Sequence, residues 1–93
     1  MIKSYANKLA EKVAVGEFSK KLPINIKTRV LMRLVQLDNA YELDDLKLPS
    51  SNQLEKLSGD RKGQYSIRIN QQWRLCFEFK SGDAFNVEIT DYH

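Results

Sequence analysis

Residues 65 to 89 carry the pattern that most restricts the fold, a strict alternation of apolar and polar residues interrupted by short turns. Tyr65, Ile67 and Ile69 alternate with Ser66, Arg68 and Asn70. Trp73, Leu75, Phe77 and Phe79 alternate with Arg74, Cys76 and Glu78, and Phe85, Val87 and Ile89 with Asn86, Glu88 and Thr90. A period of two sends successive side chains to opposite faces, so each run reads as a strand with one apolar side. The breaks at Gln71-Gln72 and Ser81-Gly82-Asp83 leave room only for tight turns, so the three strands form an antiparallel meander. Its apolar face has to be covered.

The cover comes from upstream. Ile26, Val30, Leu34, Leu37 and Tyr41 recur at steps of three and four, widened by Leu31 and Val35, with Lys27, Arg29, Arg33 and Gln36 on the other side. This predicts a helix opened by Pro23 or Asn25. Its basic side reads either as a solvated face or as a surface for a partner. Leu9, Val13 and Phe18 predict a shorter first helix, weakened at Gly16. Ile2 to Tyr5 suit a short strand, Glu42 to Leu46 a brief extra turn, and Leu48-Pro49-Ser50-Ser51-Asn52 a loop. Gln53 to Leu57 suit a further strand, and Ser58 to Gly63 a turn. A chain of 93 residues holds one such core. The expectation is a single α+β domain over residues 1–93, with N-terminal helices packed on one face of an antiparallel sheet.

Lys and Arg number 15 against 12 Asp and Glu, a formal charge of +3 that permits a polyanionic partner without demanding one. Cys76 is the one cysteine, so an intrachain disulfide is excluded and a reducing compartment fits; a nucleophilic thiol is the less favoured reading. Charge breaks the N-terminal residues before any signal-peptide run forms, and no stretch is long enough to span a bilayer, so the expected location is the cytoplasm with no membrane partner.

Strand parity points Arg68 and Arg74 the same way, away from Ile67, Trp73 and Phe77, where two guanidiniums can fork a phosphate or pair with Glu78 and Glu88. Arg61, Lys62 and Lys56 add positive charge nearby. Tyr92 shares the parity of Glu88 and Thr90, while a regular strand sends the only histidine, His93, to the apolar side. A bulge or terminal freedom must then return His93 to Arg74. Cleaving RNA takes a base for the 2′-hydroxyl proton, a cation for the phosphate and an acid for the leaving 5′-oxygen. Glu55, Arg74 and His93 can fill those roles. One histidine and no carboxylate pair at ligand spacing point to chemistry without a metal or other cofactor.

These residues resemble a known family. Met1-Ile2-Lys3-Ser4, the run from Leu54 to Asn70 with its Leu-x-x-Leu-x-Gly-Asp-x-x-Gly and Ser-Ile-Arg-Ile-Asn segments, Trp73-Arg74-Leu75 and Asp91-Tyr92-His93 resemble the HigB toxins. These are the plasmid maintenance killer branch of the RelE-like toxins, and the GraT subgroup is the nearest in resemblance. The resemblance spans the chain. It implies the RelE-like fold and a ribosome-dependent, metal-independent endoribonuclease that cuts messenger RNA in the A site. It also implies neutralisation by a HigA-type helix-turn-helix antitoxin, with operator DNA bound only through the complex. By resemblance Arg74 contacts the scissile phosphate, Arg68 supports RNA binding, His93 is the acid and Tyr92 a stacking or positioning group beside Asp91. Many HigB members have His and Lys where this chain has Glu55 and Ser58. Glu55 matches a glutamate that serves as general base in the related YoeB branch, and Lys56 is a candidate for the lost phosphate contact. The alternative is a RelE-like module without strong catalysis, acting by binding RNA or a regulator.

Overall fold

The structure is a computed structural model that describes residues 1–17, 20 and 22–91. Two helices, α1 (Lys8–Ala14) and α2 (Ile24–Asn39), precede four strands, β1 (Glu55–Lys56), β2 (Tyr65–Arg68), β3 (Trp73–Lys80) and β4 (Asp83–Asp91). All neighbouring strands are antiparallel, in the order β1-β2-β3-β4, so the expected meander is present with a short fourth strand at its edge.

The helices cover the apolar face as the periodicity predicts. Ile67, Leu75, Phe77, Val87 and Ile89 of the sheet share one core with Val30, Leu34 and Leu37 of α2 and Ala10 and Val13 of α1. Asn7 caps α1 by accepting from the Ala10 backbone N–H, and α2 begins at Ile24 behind Pro23. Phe18 lies outside the described residues. At the other end of α2 the chain turns extended at Ala40, which is buried, so Tyr41 falls off the helical stripe and is 85% exposed. Val35 is likewise exposed rather than part of the core.

The strand expected at residues 2–5 is present only as a ladder fragment. Ile2 and Tyr5 bridge Ala84 and Val87 in parallel, and backbone bonds run from Lys3 N–H to Ala84 O (2.7 Å) and from Ala6 N–H to Val87 O (2.8 Å). The strand expected at Gln53–Leu57 shrinks to Glu55–Lys56, because Gln53 takes a left-handed conformation at φ 45° and holds the chain in a turn before it. Phe85 also departs from its expected place. Its alternation with Val87 and Ile89 is broken by a register shift at Asn86 (φ 53°), so Phe85 pairs with Glu78 while Ala84 takes the buried place.

The connection between the helices and the meander is pinned by one buried side chain. Asn52, fully buried, donates from Nδ2 to Gln36 Oε1 of α2 (2.9 Å), to Leu46 O (3.1 Å) and to Leu48 O (3.4 Å). Removing that amide takes away the buried bond to Leu46 O and the link to α2, while Leu48 O keeps a bond from Gln36 Nε2 (2.6 Å). Asn52→Ala is expected to lower stability by about 1–3 kcal/mol in urea unfolding, with the denaturant slope unchanged.

Candidate active site

Register, not only parity, assembles the polar face. Arg68 lies directly across from Arg74, Ser66 across from Cys76, and Glu55 across from Ser66. Partners across a ladder share a face, so Glu55, Ser66, Arg68, Arg74 and Cys76 all project on the side away from the helices. Glu88 and Thr90 join them from β4, opposite Cys76 and Arg74.

Arg74 is the centre of this surface. Its residue is only 7% exposed, although it carries a permanent charge. Nε donates to Ser66 Oγ (2.8 Å), and Nη2 donates to Gln53 O (2.7 Å) and Ser66 O (3.5 Å). The Glu55 carboxylate stands 3.7 Å from Nη2, itself more than half exposed. The guanidinium is therefore fixed from below by neutral acceptors and flanked by the Glu55 carboxylate. Sequence reasoning missed Ser66 and the Gln53 carbonyl. Ser66 was marked only by its place, sharing Arg74's parity with Arg68 between Tyr65 and Ile69.

The other candidate residues separate. Arg68 is half-buried beside Arg74, with Nε donating to Asn70 O (3.1 Å). Arg61 leans back onto the sheet and pairs with Glu88, Nη1 to Oε1 at 3.2 Å and Nη2 to Oε2 at 3.3 Å, while also reaching Gln64. That ion pair ties the turn Gly59–Arg61 to β4. Lys62 is exposed just after this turn. Lys56 pairs in register with Tyr65, hence on the face opposite Glu55 and Arg74, and is exposed at the sheet edge. Asp91 sits across from Trp73, likewise off the Arg74 face, and accepts from Gln72 Nε2 (3.1 Å). Tyr92 and His93 lie outside the described residues.

Cys76 is fully buried between Ser66 and Glu88, and burial pushes its thiol above its ordinary value. A nucleophile needs the thiolate and an open approach. Cys76 has neither, so it packs the sheet.

The same architecture occurs in bacterial toxins of the RelE-like class. A YafQ variant from E. coli superposes with a TM-score of 0.66 at 15% identity, covering 98% of this chain and 91% of that one. YoeB in the YoeB-YefM toxin-antitoxin complex of Staphylococcus aureus gives 0.62 at 18% identity, covering 100% and 98%. At such identity the likeness establishes the fold. Sequence establishes the family. Endoribonuclease HigB of Proteus vulgaris is 33% identical over 93 residues, the full length of both chains, and toxin HigB-1 of Vibrio cholerae is 40% identical over 68 residues, covering 73% of this chain and 72% of that one. The description "RelE-like toxin of type II toxin-antitoxin system HigB" matches residues 3–93, and the chain belongs to this HigB-like toxin family.

The packing of Cys76 has a direct readout. In folded protein at mildly alkaline pH, iodoacetamide is expected to leave Cys76 unmodified over hours, whereas in urea it reacts as an ordinary thiol; mass spectrometry of the two samples decides. Rapid alkylation of the native protein would place the thiol at the surface.

Proposed function

We propose that this chain is an RNA-cutting toxin of the cytoplasm, acting on messenger RNA in the ribosomal A site and requiring no metal. The observation that carries the reading is the Arg74–Glu55 pair: a buried, immobilised guanidinium with an exposed carboxylate 3.7 Å away. A solvent-exposed carboxylate gains little from such a pairing, so an incoming phosphate can take its place as the counter-charge at low cost. Released from Arg74, Glu55 is positioned to accept the 2′-hydroxyl proton. The 2′-oxygen then attacks phosphorus, Arg74 holds the charge that builds on the phosphate oxygens, and the 5′-oxygen leaves with a proton from His93. The products are a 2′,3′-cyclic phosphate and a 5′-hydroxyl end. Tyr92 orders the substrate beside His93, and Arg68, Lys62, Lys56, Arg61 and Asp91 serve RNA binding around this centre. In this assignment the Arg61–Glu88 pair and the Lys56 side of the sheet mark the periphery of the site.

Membership in a type II toxin–antitoxin family implies a neutralising partner. We assign that partner as a HigA-type helix-turn-helix antitoxin, with operator DNA contacted only through the complex.

Arg74→Ala is expected to abolish growth arrest on expression without antitoxin, and removal of His93 to slow cleavage of ribosome-bound message by about an order of magnitude or more. Mapping of cellular RNA 5′ ends after a pulse of expression reads both. Wild-type cutting by both variants would refute the residue assignment. Steeply salt-dependent RNA binding with no cut ends from the wild-type chain would instead favour a binding module.

A further inference from the structure

A second basic feature lies next to the Arg74 surface, and of its residues only Arg68 has a part in the reading above. Between α2 and the β2–β3 turn is a groove of about 600 Å3 lined by Arg29, Arg33, Arg68, Ser51, Asn70 and Gln71, with Met32 and Ile69 as apolar wall. Among the described residues no carboxylate lines it. Arg29 and Arg33 stand one helical turn apart, where like charges repel. Among the described residues no ion pair relieves either of them or Arg68.

Arg33 and Arg68 are nonetheless held in place, and the exposed Arg29 is tethered more loosely. Each donates to a backbone carbonyl at the end of β2 or in the turn after it: Arg29 Nη1 to Ile69 O (3.5 Å), Arg33 Nε to Arg68 O (3.1 Å) and Arg68 Nε to Asn70 O (3.1 Å). Burial first, and then the charge of Arg29, lowers the proton affinity of Arg33 below the ordinary arginine value. Three cations gathered without an acid among the described residues cost the folded domain free energy, and a bound anion recovers it.

We propose that this groove binds a phosphodiester of RNA other than the one cut at Arg74. The inference rests on the RNA-cleaving reading and extends it. Continuity supports a nucleic acid strand over an isolated anion: Arg68 is both the ladder partner of Arg74 and a wall of the groove, and Ser51 lies two residues before the Gln53 carbonyl that anchors Arg74. A strand leaving Arg74 past Arg68 and around the β2–β3 end of the sheet enters the groove next. Asn70, Gln71 and Ser51 offer neutral hydrogen bonds to sugar or base edges, and Met32, 60% exposed, gives a base an apolar surface.

The phosphate belongs either to the message or to ribosomal RNA, and two binding measurements separate these. One uses a short, uncleavable 2′-O-methyl RNA, the other purified ribosomes. In at least one of them Arg29→Gln combined with Arg33→Gln is expected to raise Kd about tenfold or more and to flatten the dependence of log Kd on log salt by about two. Loss with the short RNA assigns the message, and loss with ribosomes alone assigns ribosomal RNA. Lys at both positions keeps the charges and should hold the slope, which a merely structural role would not do. Gln71→Glu, at an exposed rim position, sets a negative charge in the groove without touching those carbonyl bonds and should weaken binding in the same measurement. Unchanged Kd and slope for the Gln and Gln71→Glu proteins in both measurements overturn the proposal. So does competition by polyglutamate equal to that by RNA of the same charge, which would mark the groove as facing an acidic protein. Failure of the cleaving reading shows elsewhere, as indifference of cutting to Arg74→Ala.

Discussion

A guanidinium withdrawn from water costs several kcal/mol unless its charge and its N–H groups find partners, and the polar face of this sheet is organised around meeting that cost for Arg74. Among the described residues partners come from three places in the chain. Ser66 supplies both its hydroxyl and its carbonyl from the next strand, Gln53 supplies a carbonyl from the turn before β1, and Glu55 supplies counter-charge. The left-handed Gln53 is thus more than an interruption of a strand. Its conformation turns the chain where its carbonyl meets the guanidinium, and two residues later the chain pairs with β2 carrying Glu55. Asn52 holds the preceding residues to α2, so the helix layer on one side of the sheet positions a carbonyl on the other.

The two faces of the sheet therefore divide the work. The helix side is an apolar core that needs shape and little else. The other side buries Ser66, Cys76 and most of Arg74 under a strap of irregular chain, and there hydrogen bonds decide the geometry. Arg61 closes the strap at its far end through Glu88. With its charge engaged there, Arg61 shapes the site from its periphery.

Much of the fold could be read from residue order. Helix and strand periods predicted α1, α2, the meander and its cover, because those elements are set by which residues avoid water. The failures fall where backbone conformation outvotes period. Phe85 alternates with Val87 on paper, but Asn86 at positive φ inserts a bulge and turns Phe85 to the polar face. Tyr41 continues the helical spacing, but the helix has ended. For the site, parity sufficed to put Arg68 and Arg74 together. It could not reveal that Ser66 and a carbonyl hold Arg74, since a backbone acceptor has no signature in side-chain identity. Lys56 and Arg61 looked like part of the same basic group because they are near in sequence, yet register sends one to the other face and an ion pair engages the other. The groove at Arg29 and Arg33 was visible only as the basic side of a helix.

The first residues of the chain have an effect on the sheet as a whole. By laying Ile2 and Tyr5 along β4 they occupy donors and acceptors that a flat outer strand would otherwise offer to any passing extended peptide. The opposite margin is β1, only two residues long and bearing Glu55. The two margins are thus unlike: one is covered from Ala84 to Val87, and the other offers a foreign strand only two residues of ladder, one of them the Glu55 that flanks Arg74.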